Sequence, residues 1–176
     1  MRLGAVLAGG RAVRFGSDKA LAELGGTTLL ARAVAAFEPW CDRVIVIGRD
    51  DAPAHTIPDW PAPGMGPLAG IAAALRFARA EGFGTVLTAG VDSVGLPADL
   101  PLLLDPAPAY LASQPVIGAW PASAAEAACA MLSGEGRHSM FAFAERIAAR
   151  AVHLSRDPAN INTPADLAAA SAENDV

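Results

Sequence analysis

The sequence predicts an α/β protein, a single-domain three-layer sandwich with helices on both faces of a mainly parallel sheet. Two observations predict it. Short apolar runs bounded by turn residues recur at Leu3 to Leu7, Val44 to Ile47 and Thr85 to Ala89, too brief for helices and apolar enough for strands covered on both faces. Between them lie stretches whose apolar residues repeat at helical spacing, and strands alternating with helices make parallel sheets. In such sheets ligands sit beyond the carboxyl ends of the strands, so the loops after Leu7, Ile47 and Ala89 are where chemistry is expected.

Leu3 to Leu7 ends directly in Gly9-Gly10, a turn signal. After a polar loop, Thr27 or Thr28 caps a helix with Leu29, Leu30, Ala33, Val34 and Phe37 on its apolar face, stopped by Pro39. Val44 to Ile47 is β-branched throughout. A loop rich in proline and glycine spans Pro53 to Gly66, and Pro67 then opens a helix with Leu68, Ile71, Ala72 and Leu75 on one side. After the strand at Thr85 to Ala89, a helix is expected from Pro97. Pro115 to Trp120 reads as a strand near an edge, because Pro115 removes a ladder donor. Helices follow at Ser123 to Leu132 and Ser139 to Arg150, then a strand at Ala151 to Leu154. A closing helix runs from Pro164 to Ala170, within a domain spanning 1–170, and the tail at 171–176 is expected to fray.

Composition narrows the function. The chain of 176 residues is 53% hydrophobic and 18% charged, enough to bury a core without staples. No run approaches the roughly 18 apolar residues of a spanning helix. Met1 to Gly10 lacks a basic leader, so no signal peptide is expected. Cys41 and Cys129 lie far apart and read as buried free thiols, which suits the cytoplasm. A net charge of −5 without a basic tract argues against nucleic acid. One island differs: Arg11, Arg14 and Lys19 stand against the single acid Asp18. Beside glycines, such an island suits a phosphate-bearing small ligand.

That island is the segment Leu7-Ala8-Gly9-Gly10-Arg11-Ala12-Val13-Arg14-Phe15-Gly16-Ser17-Asp18-Lys19. It is neither a Walker A loop nor a dinucleotide fingerprint, since five residues separate Gly10 from Gly16 and no Gly-Lys-Ser/Thr follows. Paired glycines let backbone N–H groups approach a ligand, Arg14 can grip phosphate oxygens in a fork, and Lys19 adds a mobile point charge. Together they can offset charge that develops on a leaving pyrophosphate. Asp92, just beyond the third strand, is placed either to hold a divalent cation or to cap a turn.

The segment resembles the signature L-A-G-G-x-[SA]-x-R-[MF]-G-x-D-K of the MobA-like NTP transferases, and within them the molybdenum cofactor guanylyltransferases. Four further blocks follow in the family's order. Ile57-Pro58-Asp59 precedes Gly66-Pro67-Leu68-Ala69-Gly70; Val91-Asp92-Ser93-Val94-Gly95-Leu96-Pro97 resembles C-D-x-P-x-[LI]-P; Gln114-Pro115-Val116 to Trp120-Pro121 resembles [HQ]-P-V-x-G-x-W-P. The last, Asn160-Ile161-Asn162-Thr163-Pro164, resembles N-x-N-T-P, with helix capping by Asn162 or Thr163 expected in either case. Two positions depart from the family: Val94 stands in place of proline, and Ile47-Gly48 where an asparagine usually lies near the ribose.

The resemblance implies a Rossmann-like fold of the nucleotide-diphospho-sugar transferase type, GTP and molybdopterin as substrates, and Mg²⁺ as cofactor. It implies catalytic roles for Arg14, Lys19 and Asp92, with Asp92 on the metal. Nucleotide contacts fall to Leu7, Ala8, Gly9, Gly10, Lys19, Asp59 and Asp92, and acceptor contacts to Asn160 and Asn162. Arg137 is either an acceptor contact or an exposed helix-start residue. Transient contact with molybdoenzymes or other cofactor-biosynthesis proteins is also implied. The rival readings are a related transferase using CTP or a sugar phosphate, and a catalytically silent nucleotide-binding accessory protein.

Overall fold

The computed structural model describes residues 1–9, 18–136 and 138–174. Along the chain run β1 (Arg2–Leu7), β2 (Glu23–Leu24), β3 (Thr27–Thr28), α1 (Leu29–Phe37), β4 (Arg43–Ile47), β5 (His55–Ile57), α2 (Pro67–Ala80) and β6 (Thr85–Gly90). Then come β7 (Ser93–Val94), α3 (Leu100–Leu103), β8 (Ala109–Leu111), β9 (Gln114–Pro121), α4 (Ala125–Ser133), α5 (Met140–Arg146), β10 (Arg150–Val152), β11 (Ala159–Asn160) and α6 (Pro164–Asn174). The main sheet has seven strands in the order β10-β8-β9-β6-β1-β4-β5. Every neighbouring pair is parallel except where β9 runs against β6 and β8. This is the expected α/β sandwich around a mainly parallel sheet.

Alternation along the central strands builds the two covering layers. On one face Leu3, Ala5, Ile45 and Ile47 pack with Leu68, Ile71 and Leu75 of α2 and with Ala128 and Leu132 of α4. On the other, Val6 and Val46 pack with Leu29, Leu30 and Val34 of α1. The expected face of α1 is the buried one, and Thr28 is the cap, its Oγ1 accepting from the Ala31 N–H at 3.2 Å. Each large aliphatic side chain buried there contributes about 1.5–3 kcal/mol. Phe37 also reaches the sheet because Gly4 has no side chain; a Cβ at Gly4 would lie 2.8 Å from its ring.

The structure corrects several element expectations. The loop from Pro53 to Gly66 contains β5, which pairs Ile57 with Ile47. The segment after Pro97 yields only a four-residue helix at Leu100, followed by β8. The helix expected to reach Arg150 stops at Arg146, because Ala148 turns the chain with φ 52° and Arg150 already pairs with Ala109. The strand after it accordingly starts one residue early and ends at Val152. Before α1, the polar loop holds the β2–β3 hairpin, whose two linking residues, Gly25 and Gly26, take φ 61° and 73°.

β9 is not at an edge but between β6 and β8. Pro115 is tolerated there because the pairing slips: Tyr110 faces Gly118 whereas Leu111 faces Gln114, so Pro115 lies in a bulge that asks no ladder bond of its nitrogen. The bulge is pinned from below. Thr88, a fully buried polar residue, donates from Oγ1 to the Val116 carbonyl at 2.6 Å and accepts from Trp120 Nε1 at 2.8 Å. Thr88→Val keeps the shape and strands both partners, so it should cost about 1–3 kcal/mol in urea unfolding. Unchanged stability would mean that this network contributes nothing.

Candidate nucleotide-binding cleft

Leu7 pairs with Ile47 on one side and Gly90 on the other, so three loops leave the sheet at one level. Above them opens a cleft of about 520 Å³, lined among others by Leu7, Gly9, Asp59, Pro67, Asp92 and Val116. A larger groove of about 670 Å³, lined by Val94, Asp99 and His153 among others, holds none of the residues to which the resemblance assigns a catalytic or binding role.

Lys19 opens a short 3-10 turn, Lys19–Leu21, capped by Asp18, whose Oδ1 accepts from the Ala20 N–H at 3.1 Å. From there its ammonium reaches Asp92 Oδ2 at 2.8 Å and lies 3.5 Å from Asn162 Oδ1. The pair is partly shielded, with side chains 16% and 26% exposed, so its attraction is less screened than a surface pair's. Asp92 is itself held by backbone: the Ile161 N–H donates to its carbonyl at 2.9 Å, and β7 pairs with β11 immediately beyond. Val94 faces Ala159 in that ribbon, where a proline would have no N–H to offer.

The asparagine segment is ordered by reciprocal capping. Asp166 Oδ2 accepts from the N–H groups of Asn162 and Thr163 at 2.9 and 2.8 Å, and Thr163 Oγ1 accepts from the Asp166 N–H at 3.2 Å. These donors, the Asn162 amide foremost, hold the Asp166 carboxyl below its usual range. Thr163, of the two residues considered, is the side-chain cap. Asn160 stands exposed opposite Ser93 and makes no contact with Lys19 comparable to that of Asn162.

Asp59 is held differently. A Cβ on Gly9 would come 2.8 Å from Asp59 Oδ2, and one on Gly48 would come 3.0 Å from it, so the carboxylate rests on a floor of glycine backbone. Burial raises its pKa above the usual value. The departure from the family at Gly48 has a steric reason: its φ is 81°, and a side chain there would run into the Gly9 backbone. At Leu7 and Ala8 the sheet already uses two backbone groups. The Ala8 N–H donates to the Ile47 carbonyl and the Leu7 carbonyl accepts from the Val91 N–H, both at 2.9 Å. Gly10, Arg14 and Arg137 lie outside the described residues.

The site also includes a residue that the sequence did not point to. Arg49 donates Nη1 and Nη2 to the two oxygens of Asp18 at 2.9 and 2.7 Å. That fork holds the Asp18 carboxyl below its ordinary pKa. The available signal was position: Arg49 stands just past the end of β4, level with the loop that carries Asp18.

The donor set suits a hard divalent cation. Asp92 offers a carboxylate beside the Asn162 amide oxygen, and both already face a cation, the Lys19 ammonium. Among the described residues no group of three or more His, Cys, Asp or Glu gathers, so an ion here would take most of its ligands from phosphate and water, as Mg²⁺ commonly does. No helix among the described residues is long and apolar enough to cross a membrane.

A glycine turn, a lysine and a carboxylate at the carboxyl ends of parallel strands define a nucleotide-handling α/β fold. The chain belongs to the MobA-like NTP transferase family, whose domain matches residues 4–165. It is 40% identical to the molybdenum cofactor guanylyltransferase of Acidiphilium cryptum, across 95% of this chain and 92% of that one. It is 33% identical to the enzyme of that name from Rhodobacter capsulatus, across 95% and 93%. Among solved structures, molybdopterin-guanine dinucleotide biosynthesis protein A from Archaeoglobus fulgidus superposes with a TM-score of 0.78 at 24% identity, covering 99% of both chains. A CMP:2-keto-3-deoxy-manno-octonic acid synthetase complexed with CTP superposes at 0.75 with 13% identity, covering 99% of this chain and 98% of that one. The fold is therefore of the nucleotide-diphospho-sugar transferase type.

A raised folded-state pKa at Asp59 means that the folded protein holds this proton more tightly than the unfolded chain does. Stability from this group is then full below the unfolded value and is lost as pH rises through the folded one. Asp59→Asn should accordingly melt higher than wild type at neutral pH, with the gain shrinking as pH falls into the carboxylate range. Thermal unfolding across pH measures this; a variant less stable at neutral pH would contradict it.

Proposed function

We propose that this protein transfers GMP from GTP to the terminal phosphate of molybdenum-bearing molybdopterin, releasing pyrophosphate and forming molybdopterin guanine dinucleotide. The Lys19–Asp92 pair at 2.8 Å, at the edge of the cleft, carries the reading. The relatives' names supply the guanine and the acceptor.

An oxygen of the acceptor phosphate attacks the α-phosphorus of GTP, a new P–O bond forms, and the bond to the β-phosphate oxygen breaks. No covalent enzyme intermediate is needed, so positioning and charge neutralisation supply the catalysis. Lys19 exchanges Asp92 for phosphate oxygens and meets the charge moving onto pyrophosphate; the family pattern assigns Arg14, as a second cation, and the Gly9-Gly10 backbone to the same triphosphate. Asp92, with Asn162 beside it, would hold Mg²⁺, which when bound neutralises phosphate charge. Leu7 walls the nucleotide side of the cleft. Since the Ala8 N–H and Leu7 carbonyl are engaged in the sheet, base contacts from this corner fall to the backbone just beyond and to Asp59. Asn160 and Asn162 face the acceptor. The protein acts in the cytoplasm and hands its product to molybdoenzymes.

Lys19→Ala and Asp92→Ala should each lower pyrophosphate release with GTP and molybdopterin by about 100-fold or more while leaving thermal unfolding unchanged. Unlabelled GTP should displace labelled GTP, and CTP should not. Near-wild-type turnover by either variant would remove the assigned roles.

A further inference from the structure

Lys19 is useful only if its ammonium stays beside Asp92, yet it is carried on a turn of three residues that has little apolar anchorage of its own. Ala20 is buried within that turn, whereas Leu21 is 55% exposed. Something else must fix the turn's orientation. At its N-terminal end, two of its backbone N–H groups converge on Asp18. Its Oδ1 accepts from the Ala20 N–H at 3.1 Å, and its carbonyl accepts from the Leu21 N–H at 3.0 Å. The same carboxylate receives both arms of the Arg49 guanidinium, whose side chain is only 18% exposed. A two-point grip fixes the carboxylate plane as well as its position, which a single contact from a lysine would not do.

Arg49 follows Gly48, and Gly48 is the residue on which Gly9 rests. Gly9 and Asp18 are the described residues on either side of 10–17, and both meet this one bend after β4. Backbone contact secures the first and an ion pair secures the second.

We propose that Arg49 is a positioning residue for nucleotide binding, acting through Asp18 to hold the Lys19 ammonium where it meets the triphosphate. This inference rests on the proposed GTP-binding role. Asp18 is then a strut and not a ligand contact, and Arg49 touches no substrate.

A thermodynamic cycle tests it, with GTP and Mg²⁺ as the titrated probe. Arg49→Met keeps the side-chain length and removes the fork; it should weaken GTP binding about tenfold, as expected when one fixed charge contact to phosphate loosens. In a Lys19→Ala background the same substitution should change binding by less than about twofold, because the contact it served is gone. Arg49→Lys, which keeps the charge without the fork, should fall between. Thermal unfolding of all variants should stay near wild type, since the Asp18 side chain is 45% exposed and water can solvate the carboxylate that the fork releases. Equal losses in both backgrounds would show a structural role and overturn the proposal, as would wild-type affinity in Arg49→Met. Wild-type protein that binds no GTP would instead overturn the proposed function, whatever the variants do.

Discussion

Pairing of β1 on both sides is the constraint on which the rest depends. Leu7 lies opposite Ile47 and Gly90 at once, so the chain leaves three adjacent strands at the same height and must turn away from the sheet three times in a small space. Crowding at that point explains the glycines. Gly9 and Gly48 touch backbone to backbone, and no side chain could be inserted without parting β1 from β4. The parallel arrangement also gathers charge. Asp18 and Lys19, Arg49, Asp59 and Asp92 come from distant parts of the sequence and meet above one end of the sheet.

The two carboxylates of the cleft are treated in opposite ways. Asp92 has a cation at 2.8 Å, whereas Asp59 lies on glycine backbone and its ionisation is disfavoured by burial. A fold selected for stability alone would not place an acid on such a floor. Its neighbour Trp60 is fastened nonetheless: its N–H donates to the Ala69 carbonyl at 3.2 Å, and the Arg76 guanidinium lies 4.7 Å over its ring. The segment bearing Asp59 is thus fixed by contacts that do not involve the carboxylate.

How much of this was legible follows from the range of each interaction. β1, β4 and β6 are buried on both faces and announce themselves as apolar runs; α1 and α2 carry their cores at helical spacing. β5 and β8 have three residues each, flanked by prolines, and exist because a neighbour supplies the ladder. The interior place of β9 was hidden because the bulge that excuses Pro115 depends on a slip in its partner. In the cleft, Lys19 and Asp92 were readable from residue type at a strand end. Arg49 and the Gly9–Gly48 contact were not, since each is half of a pair whose other half lies about 30 or more residues away. A glycine in a sequence does not say what it touches.

The ribbon of β7 with β11 has a consequence for how the molecule is made. The strand that presents Asp92 is complete by Gly90, but the backbone holding the Asp92 carbonyl comes from Ile161. During synthesis from the N-terminus, the central strands can pair long before that partner has left the ribosome. For that interval the nascent chain has a sheet without a finished loop at Asp92. A stretch about 70 residues further along the chain closes it, so the cleft is finished only after the sheet beneath it.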